Sequence, residues 1–576
     1  MEQEVLNWLK LADKMASDGD FKGMRACARE ILAVDAKSVD GLATFAEAAL
    51  YTGDLEQAEA LAAKALAAKA LAANPRHFKA RLVQGGILAA RFNLTEEIPW
   101  LKKLASELEQ GIQELGAANE YVPLMIEMLK KADAWLADAL YLGGEPLDAA
   151  KEILAYSNLC SDKLIKAEAY SKFLFMSNYR EPPAKAKELA CRYDKILGIV
   201  PASHASHKQP KQKLRVGYIS PDFRNHAVAY FVAPLIKNFN REKFKVFIYS
   251  TGNIDSVTEK LYSREVVWRD LRGQLPAVAA RIIASDKIDI LVDLAGHTQS
   301  SNLPIMAYKA APVQITGIGY MSTTGLAAID YFLSDEVCLP TNDTAAANAF
   351  TEKIIRLPHS HLCYAPKIVR AMPPAGITAP CLKNGYVTFG SFNNFAKVTD
   401  ETLLMWRAIL AEVKNSRLVI KGKIASIPSG RKILRARLAR LGFDQSKIEL
   451  SPYSPDYLEQ YLAMDIALDT MPYNGGLTTC EALYMGVPVI SKRGNTHGSR
   501  FAASILTNAD AKELLAENDA DYVKKAVELG KNHELIQDYH KKLRATMERS
   551  PLMNAASYMQ ELETAYLASW QNFCTI

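Results

Sequence analysis

The chain has 576 residues, 49% of them hydrophobic and 23% charged. That is ordinary globular composition; it argues against a disordered or fibrous protein and predicts two to four domains. Lys plus Arg number 69 against 64 Asp plus Glu, a net charge of +5, which over this length gives no reason to invoke a nucleic-acid partner. The eight cysteines stand at 27, 160, 191, 338, 363, 381, 480 and 574 with no C-x-x-C pair. This scatter suits a reduced compartment and argues against a structural zinc site. The start, Met1-Glu2-Gln3-Glu4, lacks the basic and apolar regions of a signal peptide, and no stretch of about 20 apolar residues occurs. The expectation is a soluble, cytoplasmic protein without membrane contact.

In chain order, the first third repeats. Gly19-Asp20 and Gly53-Asp54 each precede an amphipathic, Ala-rich run, and the two turns lie 34 residues apart, the tetratricopeptide period. The next equivalent turn, Phe92-Asn93-Leu94, arrives late. The delay matches the duplicated Leu-Ala-Ala-Lys-Ala at 61–70, which predicts one lengthened helix. Gly143-Gly144-Glu145-Pro146 and Asn178-Tyr179-Arg180-Glu181 supply further turns. Each unit reads helix–turn–helix and buries its apolar face only by stacking on a neighbour. Residues 1–198 are therefore expected to form a helical repeat domain, a surface type that holds extended peptides or proteins.

Residues 199–213 are polar, basic and Pro-containing and read as a linker. Beyond them strands and helices alternate: strands at 214–220, 244–249 and 288–293, helices at about 228–239 and 275–285. The pattern restarts with strands at 386–390, 417–421 and 466–468 and helices at 400–410, 432–441 and from 478. Alternation implies βαβ units and parallel sheets, with ligands at the carboxyl ends of the strands. Two Rossmann-like domains are expected, at 214–383 and 384–576, with a last helix at about 555–572.

Four strand ends carry candidate chemistry. Asp469-Thr-Met-Pro-Tyr-Asn474-Gly475-Gly476-Leu477-Thr478-Thr479-Cys480-Glu481 is a Gly-rich turn opening a helix, where free N–H groups and the dipole suit phosphate. An acid one turn in, Glu481, can accept from ribose hydroxyls; the plainer alternative is a capped helix with a first-turn Glu. Asn393-Asn394-Phe-Ala-Lys397 places one lysine in a polar turn, where it could neutralise a diphosphate or simply be solvated. His226 and His297 each follow a strand, the position of a candidate acid–base group, although lone histidines are more often structural. No H-E-x-x-H, P-loop or ordered G-x-G-x-x-G is present. The Asp-x-Asp pairs at 18–20 and 519–521 read as turn and cap, so no metal site is expected.

Together these segments are familiar. RVGYISPDFRNHAVAYF (215–231), DILVDLAGHT (289–298), APVQITGIGYMSTTG (311–325), VTFGSFNNFAKVT (387–399) and DIALDTMPYNGGLTTCEALYMGVPVI (465–490), behind a repeat array, resemble the O-GlcNAc transferase/SPINDLY family of protein O-glycosyltransferases. The resemblance implies an α-solenoid followed by a GT-B fold, and inverting, metal-independent sugar transfer to Ser or Thr hydroxyls. It implies that Lys397 stabilises the leaving diphosphate and that His226 lies near sugar and acceptor. It implies a donor site of Asn394, Lys397, Asn474, Gly475, Gly476, Thr478, Thr479 and Glu481. His297, Gln314 and Thr323 are carried over to the sugar and acceptor side.

UDP-GlcNAc is the first expected donor, with GDP-fucose or a UDP-hexose as alternatives. Gly476, Leu477, Gly317, Asn302 and Met321-Ser322 depart from the residues common in relatives and bear on donor choice. An inactive repeat scaffold is the reading of another class, and a glycosyltransferase acting on small molecules or glycans is a third. Acceptor proteins, recruited by the repeats, are the expected partners; the oligomeric state is left open.

Overall fold

A computed structural model of the chain describes residues 2–71, 77–179, 182–205, 208–374 and 378–575. Arg180 and Glu181 of the last predicted repeat turn, and residues 206–207 of the linker, lie outside these. The chain forms two compact units: residues 1–161 with 426–434, and residues 162–425 with 435–576.

The first unit contains eight consecutive helices: α1 (Glu2–Ser17), α2 (Phe21–Val34), α3 (Val39–Tyr51), α4 (Leu55–Leu71), α5 (Phe78–Ala90), α6 (Leu94–Leu115), α7 (Val122–Leu142) and α8 (Pro146–Leu159). Each packs on the next, and α1, α3, α5 and α7 also pack on one another in series, as stacked helix pairs do. Alanines make close approach possible: Ala46, Ala49, Ala58 and Ala62 interlock with Val83 and Ile87. Four of the five predicted turns share one geometry. Gly19, Gly53, Phe92 and Gly144 have φ of +75°, +80°, +52° and +86°. The following residue's N–H returns five residues to Met15, Ala49, Leu88 and Leu140 carbonyls, the 6→1 bond of a Schellman cap. The duplicated pentapeptide falls within α4, which has 17 residues against 14 in α2.

Two helices that the sequence groups with the repeats, α9 (Lys163–Ser177) and α10 (Pro183–Leu197), belong to the second unit. The reason is visible in their inward faces. Ser171 of α9 bonds His297, and Tyr193 of α10 meets the same ring edge-on at 4.6 Å.

The second unit holds two parallel sheets. The first comprises β1 (Leu214–Ser220), β2 (Phe244–Ser250), β3 (Val267–Asp270), β4 (Ile290–Asp293), β5 (Val313–Gly317), β6 (Tyr331–Asp335) and β7 (Lys353–Leu357), in the order β3-β2-β1-β4-β5-β6-β7. The second comprises β8 (Val387–Ser391), β9 (Ser416–Gly422), β10 (Ile448–Pro452), β11 (Ile466–Leu468), β12 (Val489–Lys492) and β13 (Leu515–Ala516), in the order β10-β9-β8-β11-β12-β13. The central strands are covered on both faces: every residue of β4, β8 and β11 is buried, the mark of a doubly wound sheet. The order reverses between β1 and β4, and between β8 and β11. The final helix, Ala555–Thr575, returns to the first sheet's side. There the Tyr558 hydroxyl donates to the His361 carbonyl at 3.1 Å, and the Lys211 ammonium stands 5.2 Å from the Trp570 ring centre.

Candidate active site

Ligands bind doubly wound sheets beyond the carboxyl ends of the strands, where the order reverses. Four segments occupy those ends here: Ser220–His226 after β1, Asp293–His297 after β4, Ser391–Lys397 after β8 and Asp469–Gly476 after β11. The sequence motifs therefore converge on the two switch points.

The turn after β11 is held by a buried carboxylate. Asp469 Oδ1 accepts from Gly475 N–H at 2.7 Å, and its Oδ2 accepts from Ser491 Oγ at 2.6 Å. Burial raises its pKa, while Ser491, the Gly475 N–H and Lys397 oppose that shift. Gly475 admits no side chain: a Cβ there would lie 2.5 Å from Thr478 Oγ1 and 2.7 Å from Thr479 Oγ1. Thr479 Oγ1 donates back to the Gly475 carbonyl at 3.0 Å. The helix Leu477–Tyr484 opens at Gly476, which brings no capping side chain. Its first intrahelical bond runs from Cys480 N–H to Gly476 O, so the N–H groups of Leu477, Thr478 and Thr479 have no helical carbonyl to reach. Thr478 Oγ1 is fixed by Asn393 Oδ1 at 2.8 Å.

Lys397 enters this turn from the other strand end. Its Nζ donates to the Asn474 carbonyl at 2.9 Å and lies 3.6 Å from the centre of the Tyr473 ring. Withdrawal from water lowers its pKa to about 8, against the opposing pull of Asp469. Asn394, exposed, caps the short helix Phe395–Lys397 by accepting from Ala396 N–H at 3.2 Å. Asn474 is buried; its Nδ2 donates to Thr470 O at 3.0 Å, and its Oδ1 has no hydrogen-bond partner.

Glu481 is buried and accepts from the Tyr457 hydroxyl. Burial raises its pKa to about 8, and Tyr457 and Arg370 pull it back. The Arg370 guanidinium lies 5.7 Å from the Tyr457 ring centre, and Tyr230 of the first sheet's domain stands beside both. This strip joins the two domains beside the donor turn.

His226 has a side chain 38% exposed. Its Nδ1 lies 3.4 Å from Val228 N–H and 3.5 Å from Asp222 Oδ2. Desolvation lowers its pKa, Asp222 raises it, and Arg224 lowers it further. His297 is placed otherwise. It is fully buried, with Nδ1 at 2.7 Å from Ser171 Oγ and Nε2 at 2.8 Å from Thr324 O, and desolvation lowers its pKa to about 4. Both nitrogens are committed, so the ring braces α9 against β4. Gln314 is likewise internal, its Nε2 donating to Met306 O and Ala328 O at 2.8 and 2.9 Å. Buried Thr323 donates to Glu352 Oε2 at 2.6 Å. The structure brings Lys397, Asn474, Gly475, Gly476, Thr478 and Thr479 together and leaves His297, Gln314 and Thr323 in the packed interior.

Sequence reasoning passed over Asn393, Asp469, Tyr473, Arg370 and Tyr457. The first three lie inside the quoted motifs, and their signal was adjacency to Lys397 and Asn474. Arg370 and Tyr457 carry no motif; only the fold puts them beside Glu481.

Two doubly wound parallel sheets, with a polar turn, a helix N-terminus and a lysine at their switch points, make the two-domain architecture called GT-B. The sequence profile of glycosyl transferase family 41 matches residues 179–367 and 378–562, and the chain belongs to that family. Relatives include the probable UDP-N-acetylglucosamine–peptide N-acetylglucosaminyltransferases SPINDLY of Arabidopsis thaliana, 40% identical, and Solanum lycopersicum, 37% identical. Each match covers 377 residues, 64% of this chain and 40% of the relative. The chain thus matches well under half the length of those proteins. Among solved structures, a mutant Thermobaculum terrenum O-GlcNAc transferase aligns over 100% of this chain and 98% of its own, with TM-score 0.70 and 24% identity, a likeness of fold. Among the described residues no helix is long and apolar enough to cross a membrane.

Proposed function

We propose that this glycosyltransferase moves a sugar from a nucleotide sugar, UDP-GlcNAc in the first instance, onto Ser or Thr hydroxyls of proteins, in the cytoplasm. The observation that carries this reading is Lys397 reaching the Asn474 carbonyl at the mouth of the Leu477–Tyr484 helix. A cation and a ring of backbone donors there suit a diphosphate. The names of the SPINDLY relatives support the donor and the protein acceptor.

In the proposed step the acceptor oxygen attacks the anomeric carbon from the face opposite the diphosphate. The bond to the diphosphate oxygen breaks, its electron pair leaves with the nucleotide, and the anomeric centre inverts. Lys397 and the N–H groups of 477–479 meet the charge that grows on the leaving oxygen, the largest contribution such a site usually makes. Glu481 receives the ribose hydroxyls. The acceptor's proton passes to the His226 imidazole, and Asp222 beside it stabilises the cation that forms. The solenoid would hold the acceptor protein.

The test is nucleotide release by the purified full chain from UDP-GlcNAc, GDP-fucose and UDP-glucose, without added divalent metal. Release from UDP-GlcNAc that falls more than about 100-fold in Lys397→Ala is expected, from the cost of losing one such donor. Release from GDP-fucose alone would reassign the donor. Release from none of the three, or equal release by the variant, would overturn the reading.

A further inference from the structure

Away from Lys397, three buried side chains converge where loops of the two sheets meet. Cys338 follows β6, His361 follows β7 and His497 follows β12. All three are at most 3% exposed, and one donor atom from each lies within 4.8 Å of the others. The His361 and His497 rings are 5.0 Å apart. We infer that Cys338, His361 and His497 bind a Zn2+ ion that clasps the two sheet domains together.

Asp335 prepares two of the ligands. Its Oδ1 accepts from Cys338 N–H at 2.7 Å, and its Oδ2 accepts from His361 N–H at 3.0 Å and from His361 Nδ1. Ser504 Oγ completes that oxygen at 2.8 Å. With its proton on Nδ1, His361 turns the Nε2 lone pair inward, and that atom has no hydrogen-bond partner. This is the carboxylate–histidine pairing that orients imidazoles towards metals. Both ring nitrogens of His497 are also buried without a partner, although a buried unpaired polar atom is costly. The walls are apolar: Phe332 and Phe501 meet the His497 ring edge-on at 5.0 and 5.1 Å.

One thiolate and two imidazoles select a borderline-soft cation; Mg2+ and Ca2+ prefer oxygen. Bonds of about 2.0–2.3 Å put tetrahedral ligand atoms about 3.5 Å apart, within the 4.8 Å that now spans the three. Binding displaces the Cys338 thiol proton to solvent. The dication, the thiolate and the Asp335 carboxylate then sum to zero charge, and the nearby Arg500 is already paired with Asp343 at 2.8 Å. The clasp reaches the donor turn, because Gly498, next to His497, accepts from Asn474 N–H at 3.2 Å and packs against Met321 of the first sheet's domain.

Elemental analysis of the tag-free full chain, incubated with Zn2+ and desalted, tests this. About one zinc per chain is expected, lost in Cys338→Ser and in His497→Ala. Cobalt in place of zinc in the wild-type chain should show sulfur-to-metal charge transfer and tetrahedral visible bands, a readout that needs no variant to fold. Zinc below about a tenth per chain, zinc retained in Cys338→Ser, or cobalt without the sulfur band would each overturn the inference.

Discussion

The Lys397 ammonium sits 3.6 Å from the centre of the Tyr473 ring, with its pKa lowered to about 8 by burial. The cation is the form that can meet a diphosphate. kcat/KM for nucleotide release should therefore fall as pH rises through about 8, since the free enzyme's ionisation governs that ratio. Bound diphosphate stabilises the cation and moves the corresponding limb of kcat to higher pH. Lys397→Arg should remove the limb from the pH–rate profile.

Tyr473→Leu keeps bulk and removes the ring. A desolvated cation–π contact contributes about 0.5–2 kcal/mol, so kcat/KM should drop roughly 2- to 30-fold. The alkaline limb should also move to lower pH, because the charged lysine has lost a partner. An unchanged profile in steady-state kinetics would show that the ring only fills space.

Glu481 makes an opposite demand. Its pKa rises from 4.5 in the reference state to about 8 in the fold. The stability this gives the protonated carboxyl is complete below about pH 4.5 and is lost as pH rises through about 8. Glu481→Gln keeps the shape without the ionisation. Its thermal midpoint without ligand should exceed that of the wild-type chain increasingly between pH 5 and 8, while the stabilisation conferred by nucleotide shrinks.

The two strand-end histidines should separate by readout. His297→Ala leaves Ser171 and the Thr324 carbonyl unpaired in the interior, costing about 1–3 kcal/mol for each unsatisfied group. Its thermal midpoint should fall while the pH–rate profile of the remaining activity keeps its shape. His226→Ala, at a half-exposed site, should leave the midpoint nearly unchanged and lower the rate of transfer.

Gly475→Ala tests the turn itself. The added carbon would meet two threonine hydroxyl oxygens closer than contact distance, so the turn must open. Nucleotide affinity should fall at least tenfold by titration, with secondary structure by circular dichroism unchanged.

Much of the fold was legible because its signals are local. The Gly-Asp turns marked α2 and α4, and apolar runs marked β1, β2, β8 and β11. β3, β5, β6, β7, β10, β12 and β13 escaped notice. Val267–Asp270 and Leu515–Ala516 are short, and Val313–Gly317 carries Gln314 and Thr316 among its apolar residues, so periodicity was weak. In the candidate site, Lys397 and the 474–481 turn could be read because strand, turn and helix follow one another. Arg370 beside Glu481, and Cys338 beside His361 and His497, join residues far apart in the chain, and only tertiary packing makes them neighbours. The inward turn of His297 follows from Ser171 of α9 and Tyr193 of α10 packing on its ring, which no pattern around residue 297 discloses.

The most direct test of the donor-site account is calorimetric titration of UDP into the full chain and into Lys397→Ala, without added divalent metal. The account predicts binding by the wild-type chain and affinity reduced at least tenfold in the variant, with GDP weaker than UDP. Equal UDP affinity in the two proteins would contradict it, because the diphosphate would then lie elsewhere than against Lys397 and the 474–479 turn.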